Sequence, residues 1–252
     1  RGGPSTGLPT KTEQSDLLQA LYGRNGESPL VVIAASTPSD CFHYAFMASK
    51  IAIERMLPVI LLTDGFLANG SEPWKVPDLK EYPEIVAPFA KAGTEDWLPY
   101  ARDPETLARE WAIPGTPGLE HRIGGLEKMD KTGDVSYVPE NHEVMTIARE
   151  EKVNRVADLI PELEIIGDED ADLLVIGWGG TYGHLVTAVS EIRREGHKVA
   201  LVHFNYIKPL PKNTEEILGK FKKHLVCELN MGQFANYLRM CFPDNSYRQY
   251  NK

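Results

Sequence analysis

LVVIAASTPSDCFHYAFMASKIAIERMLPVILLTD, residues 30–64, decides the fold. The β-branched run at 30–36 reads as a buried strand, and LPVILLTD at 57–64 as a second. Between them Phe42, Ala45, Phe46, Ile53 and Met56 recur at helical spacing behind Pro38, Ser39 and Asp40. Ser39 or Asp40 is the expected N-cap, which keeps Pro38 outside the helix. Strand, helix and strand in this order form a right-handed βαβ unit of a parallel sheet.

Working outward, EQSDLLQALYG at 13–23 reads as a short helix. Residues 70–152 carry nine prolines among glycine-containing turns such as IPGTPG and HRIGG, and KTGD at 131–134 is a hairpin-type turn. Irregular arms and short strands around a linker are expected there. ENHEVMTIAREEKVNRVADLI at 140–160 is an amphipathic helix that introduces the last third. DADLLVIGWGG, HLVTAVSEIRREG, HKVALVHFNYIKPL, TEEILGKFKKH and LVCELNMGQFANYLRMC then alternate strand and helix. The whole reads as α/β, two doubly wound parallel-sheet domains joined by a proline-rich linker.

The formal net charge of −9 argues against nucleic acid or an anionic membrane as partner, since such binders normally show a basic face. No apolar run approaches the roughly 20 residues that span a bilayer. Cys41, Cys227 and Cys241 have neither disulfide nor metal-ligand spacing, so a reduced, cytoplasmic protein with cysteines mostly in the core is expected. The chain opens on Arg1 without an initiator Met, basic n-region or signal h-region, and reads as a fragment or a processed product.

Few motifs carry chemistry by themselves. GWGGTYG, Gly177–Gly183, follows a strand and opens a helix, the context in which backbone N–H groups bind anions. Tyr182 stands where a dinucleotide fingerprint needs its third glycine, and no acidic residue ends the next strand, so a tight turn packed on its neighbours is favoured. P-loop, zincin and nucleophile-elbow patterns are missing. His121 beside Glu120 is a weak catalytic candidate against the commoner surface pair. RGGPSTGLPT, residues 1–10, is a shaped turn with a fixed cation at Arg1 and hydroxyls at Ser5, Thr6 and Thr10, groups suited to a carboxylate or phosphate. A disordered terminus is the plainer reading of that loop alone.

RGGPSTGLPTKTEQSDLLQALYG, the 30–64 unit, PGTPGLEH, SYVPENHEVM, VIGWGGTYG and VCELNMGQ occur in one order along the chain. In that order they resemble the alpha subunit of 2-oxoacid:ferredoxin oxidoreductases, particularly the 2-oxoglutarate type. The resemblance implies a partial pyrimidine-binding-type thiamine diphosphate domain over 1–125, a linker and helix start over 126–152, and a transketolase C-terminal-like domain over 153–252. It implies oxidative decarboxylation of 2-oxoglutarate to succinyl-CoA and CO2, with electrons passed to ferredoxin.

Thiamine diphosphate with Mg2+ would be bound mainly by a beta subunit, and an iron–sulfur cluster would also lie on a partner subunit. This chain would be inactive alone, within a hetero-oligomer. By the same resemblance Arg1, Ser5 and Thr6 bind substrate, Arg1 on its carboxylate and Thr6 through its hydroxyl. No catalytic residue and no metal ligand is assigned to this chain.

In the family this loop follows earlier strands that carry the glutamate activating the cofactor. A sheet without those strands is expected to have open edges at 30–36 and 58–63. The alternatives are a non-catalytic interaction subunit of the same fold, or a relative acting on pyruvate, a branched-chain oxoacid or indolepyruvate.

Overall fold

The computed structural model describes residues 7–252. The βαβ unit expected from residues 30–64 is present as Val31–Ala34 (β1), Asp40–Arg55 (α2) and Val59–Leu62 (β2), after a short helix at Leu17–Tyr22 (α1). β1 and β2 pair in parallel register, Val31 with Val59 through Ala34 with Leu62. All four β1 residues are buried, as a strand covered on both faces requires.

Neither expected side-chain cap starts α2. The Ser39 backbone is itself helical and its side chain makes no cap. The Asp40 N–H donates to Thr37 Oγ1 (3.3 Å), and the Ser39 N–H donates to Glu72 from a distant turn (2.5 Å). A further one-turn helix, Gly65–Asn69 (α3), is capped by Asp64, which accepts from the N–H groups of Phe66 (2.9 Å) and Leu67 (3.0 Å).

Residues 70–138 hold one 3-10 turn, Leu79–Glu81, and isolated bridges rather than strands among the described residues. One bridge, Lys128 to Val135, closes the turn around KTGD. Asn141, at the start of Pro139–Asn154 (α4), staples that turn by accepting from the Asp130 N–H (2.8 Å) and donating to the Lys128 carbonyl (2.9 Å). The amphipathic segment stops being α-helical at Asn154 and continues as a 3-10 turn, Arg155–Asp158.

The last third contributes Ile166–Gly167 (β3), Leu173–Trp178 (β4), Tyr182–Arg194 (α5), Ala200–Phe204 (β5), Tyr206–Lys208 (β6), Thr214–Lys220 (α6), Lys223–Glu228 (β7), Gln233–Cys241 (α7) and Tyr247–Asn251 (β8). The larger sheet runs β3-β5-β4-β7-β8. Its β5, β4, β7 and β8 are parallel, and β3 is an antiparallel edge. The α/β class holds, with an antiparallel strand added at the margin of each sheet.

One correction concerns HKVALVHFNYIKPL. It is two strands in two sheets, because the chain turns at Asn205 and sends β6 antiparallel onto β1. Asn205 fixes the turn: its carbonyl accepts from the Ala34 N–H (2.7 Å), and its amide donates to the Ala34 carbonyl (2.8 Å) and Ser36 Oγ (3.1 Å). The expected open edge at 30–36 is therefore covered by the chain's own C-terminal third. Strand alternation then sorts the core. Val32 and Ala34 join one cluster with Leu174, Ile176, Val202 and Phe204 of the larger sheet, while Val31 and Ile33 face Ile51, Val153, Val156 and Tyr206.

Candidate functional site at the converging strand ends

The carboxyl ends of β1, β2 and β4 converge, and in parallel α/β sheets ligands bind outside such ends. A small cavity of about 50 Å³ lies there, lined among others by Gln14, Ala35, Thr63, Asp64, Trp178 and Gly179. The glycine-rich turn closes one wall. Gly179 takes a left-handed φ of 57°, and a Cβ on it would stand 3.0 Å from Gln14 Nε2. A Cβ on Gly180 would fall 2.1 Å from Asp64 Oδ2, so only glycine lets this turn approach the carboxylate that caps α3. Thr181 Oγ1 donates to the Trp178 carbonyl (2.7 Å) and accepts from its N–H (3.2 Å), which holds the turn tight.

Gln14 bolts the N-terminal segment to this junction. Its amide donates to the Trp178 carbonyl (2.8 Å) and its Oε1 accepts from the Leu229 N–H (3.0 Å). Its backbone pairs with the Leu229 carbonyl (2.9 Å) and with Asn230 Nδ2 (2.9 Å). The chain passes from exposed residues at Gly7–Lys11 to a Gln14 that is only 5% exposed. Arg1, Ser5 and Thr6, the residues assigned to substrate, lie outside the described residues.

Gln14→Ala takes the partner from the half-buried Leu229 N–H and one of two donors from the Trp178 carbonyl, which keeps Thr181, and is expected to cost about 1–2 kcal/mol of stability. Denaturant unfolding of the full-length protein measures it, and a loss below about 0.5 kcal/mol would refute the bolt.

ELNMGQ completes the junction from the other side, a role that periodicity does not reveal. Glu228, 2% exposed, accepts from the N–H groups of Phe234 (2.9 Å) and Ala235 (3.1 Å) at the start of α7, and from the Trp178 indole (3.4 Å). Asn230 Oδ1 accepts from the Gly232 and Gln233 N–H groups, both 2.8 Å. The Gln233 side chain holds the Leu18 N–H (2.9 Å) and the Ser15 carbonyl (2.7 Å). An Asn two residues before a glycine at a strand end was the available sequence signal for this turn.

Beside Asn205 a second cavity, about 280 Å³, is lined by Tyr44, Tyr182, His203 and Tyr206. Burial pushes the His203 imidazole down to about 3 and the Tyr206 phenol up to about 12. His203 Nδ1 has no hydrogen-bond partner among the described residues, and the Tyr182 ring meets the imidazole edge-on at 5.1 Å. A folded-state value below the ordinary 6.5 means this His stabilises the fold fully above pH 6.5 and progressively less as pH falls toward 3. Between about pH 6.5 and about pH 5 the loss is expected to be about 2 kcal/mol. Urea unfolding of wild type and His203→Gln at both pH values tests it: equal pH slopes would refute the assignment.

The remaining candidates separate. His121 Nδ1 lies 2.9 Å from the Leu119 carbonyl while Glu120 accepts from the Gly118 N–H (2.9 Å), so the two side chains serve different partners. Only Cys227 belongs to the core; Cys41 is half-buried and Cys241 exposed. Among the described residues no cluster of three His, Cys, Asp or Glu is placed to hold a metal ion, and no helix is long and apolar enough to cross a membrane.

Comparison with known proteins gives these features a context. Residues 1–138 match the family model described as pyruvate flavodoxin/ferredoxin oxidoreductase, thiamine diphosphate-binding. The chain is 55% identical over 240 residues to the 2-oxoglutarate oxidoreductase subunit KorA of Mycobacterium tuberculosis, covering 95% of this chain and 36% of that protein. It is 33% identical to 2-oxoacid:ferredoxin oxidoreductase 1, subunit alpha, of Aeropyrum pernix, over 94% of this chain and 37% of that one. The chain thus spans little more than a third of these two relatives.

Among solved structures, it superimposes over its whole length on 44% of a chain of the 2-oxoglutarate:ferredoxin oxidoreductase from Magnetococcus marinus with 2-oxoglutarate, coenzyme A and succinyl-CoA bound. The TM-score is 0.90 and the identity 33%.

Proposed function

This chain belongs to the pyruvate flavodoxin/ferredoxin oxidoreductase family, described as thiamine diphosphate-binding, and from that premise we propose the reaction it serves. The reaction is oxidative decarboxylation of 2-oxoglutarate to succinyl-CoA and CO2, with electrons passed to ferredoxin, and the chain is part of the alpha subunit. The observation that carries this reading is the full-length superposition on an enzyme holding 2-oxoglutarate and coenzyme A, together with the 55% identity to a 2-oxoglutarate oxidoreductase subunit. The division into domains at 1–125, 126–152 and 153–252, and a cytoplasmic location, belong to the same proposal.

The residues of this chain are assigned to substrate, not to cofactor activation. Arg1 pairs with a substrate carboxylate as a two-pronged donor, and Ser5 and Thr6 add hydroxyls that fix its orientation. Placed on the carboxylate that pyruvate lacks, the clamp selects 2-oxoglutarate, because an analogue without that group would leave the cation in the site unpaired. The bolt through Gln14 holds the segment that follows this loop against the strand ends.

The strand-end site does not by itself accommodate thiamine diphosphate. The strand-end cavity of about 50 Å³ is much smaller than that cofactor, and the described residues provide no acidic cluster for its Mg2+. Within this proposal the diphosphate and Mg2+ lie mainly on a beta subunit and an iron–sulfur cluster on a partner subunit, with this chain in a hetero-oligomer.

The test is viologen reduction by the full-length alpha subunit purified with its beta subunit. Reduction should require 2-oxoglutarate, coenzyme A and thiamine diphosphate together. A complete, cofactor-loaded complex that turns over none of the 2-oxoacids would instead establish the non-catalytic reading.

A further inference from the structure

At the amino ends of β1 and β2, opposite the junction of Gln14 with Trp178, lies a cavity of about 430 Å³. That volume falls among small-molecule sites, which run roughly 300–1,000 Å³. Its floor is made by Pro29, Leu57 and Pro58, where the strands begin. Its walls are strongly basic in a chain of net charge −9: Arg102, Arg109, Arg149 and Lys152 all line it. We propose that this cavity binds a phosphate monoester, its phosphoryl group held by Arg102, Arg109, Arg149 and Lys152.

These cations outnumber the carboxylates that reach them. Lys152 Nζ reaches the Met56 carbonyl at 2.8 Å and pairs with no carboxylate among the described residues. Arg109 stacks its guanidinium over the Tyr100 ring (4.1 Å) and donates to the Pro99 carbonyl (3.2 Å), also without a carboxylate. Arg102 pairs with Asp130 but spends its other arm on the Met145 sulfur (2.9 Å), a weak acceptor. Arg149 meets Glu127 Oε1 only at 3.5 Å and donates its other arm to Thr146 Oγ1 (3.0 Å), while His142 takes the second oxygen of Glu127 at 2.6 Å.

Burial and the neighbouring Arg109 and Arg102 cations push the Lys152 amine down to about 8, the cost expected when like charges crowd without a counter-ion. Glu127 and Asp130 do not neutralise the group, and the surplus exceeds what a monoanion can offset. A phosphoryl dianion with three acceptor oxygens suits three forked guanidiniums and an ammonium, two cations from the 70–138 segment and two from α4, lining one cavity. Met56, Leu57, Leu126 and Val153 leave an apolar wall for the organic part of the ester.

Calorimetric titration of the full-length protein, in complex with its partner subunits, with inorganic phosphate, phenyl phosphate and acetate tests this. The expected result is saturable binding of both phosphates, at least about tenfold tighter than acetate, with phenyl phosphate the tighter of the two. Lys152→Gln and Arg109→Gln should each weaken that component about tenfold or more, and Lys212→Gln, a surface control, should not.

Arg109 also packs on Tyr100, so Lys152→Arg separates binding from folding: it should retain binding within about threefold. Phosphate held at the reaction's own sites would not respond to these substitutions. Absence of a substitution-sensitive component, or acetate binding as tightly as phosphate, overturns the assignment.

Discussion

Replacing Glu228 by alanine is expected to lower the stability of the fold by about 3–5 kcal/mol, the largest effect of any single polar change at the strand-end junction. Two backbone N–H groups at the start of α7 and the Trp178 indole all converge on this carboxylate. At 2% exposure, water cannot take over its role without opening the core. Hydrogen bonds to a charged acceptor contribute about 1.5–3 kcal/mol each, and the buried donors left behind add their desolvation cost. Glu228→Gln keeps one acceptor oxygen in place and should lose no more than about half as much. Denaturant midpoints of the three proteins provide the comparison. A Glu228→Ala loss below about 1 kcal/mol would mean that the junction relaxes around the missing group, and the bolt would then be incidental.

Much of this architecture was legible from residues 30–64 because length, punctuation and burial agreed there. An apolar run, a proline ahead of a helical pattern and a second apolar run leave one βαβ arrangement, though only β1 is fully buried: β2, expected as a second buried strand, is half-buried throughout, and Phe42 of the expected helical face is exposed. The sheet change at Asn205 was hidden by the same signal, since VALVHFNYIK is continuously strand-like although it crosses from one sheet to another. β8 escaped because YRQYN is mostly exposed: an edge strand pairs through its backbone and needs no apolar pattern. The caps of α2 come from Thr37 and Glu72, and a partner 33 residues away leaves no local trace.

The candidate site was less legible than the fold. Gln14, Asp64, Gly180 and Glu228 come from four separate stretches and meet only after both sheets close. ELNMGQ was identifiable through resemblance, but its task of holding α7 and the N-terminal segment together is a property of three-dimensional packing.

Arg1→Ala is expected to reduce kcat/KM for 2-oxoglutarate roughly 10- to 150-fold, equivalent to about 1.5–3 kcal/mol of a charge-assisted pair. The loss should fall mainly on KM if the clamp holds substrate and transition state equally, and on kcat as well if it aligns the reacting carbonyl. Arg1→Lys should recover only part of the activity, because an ammonium keeps the charge but not the planar fork. Gln14→Ala should raise KM in the same direction, since it releases the segment that carries the loop. An Arg1→Ala enzyme within about threefold of wild type would remove the clamp from the account.

The most direct test is the ratio of kcat/KM for 2-oxoglutarate to that for pyruvate, measured by coenzyme A-dependent viologen reduction in the full-length complex, wild type and Arg1→Ala. Wild type is expected to prefer 2-oxoglutarate, and Arg1→Ala to lower the ratio by about tenfold or more, with pyruvate turnover little changed. A wild-type preference for pyruvate, or a ratio that Arg1→Ala leaves where it was, would contradict the clamp on 2-oxoglutarate.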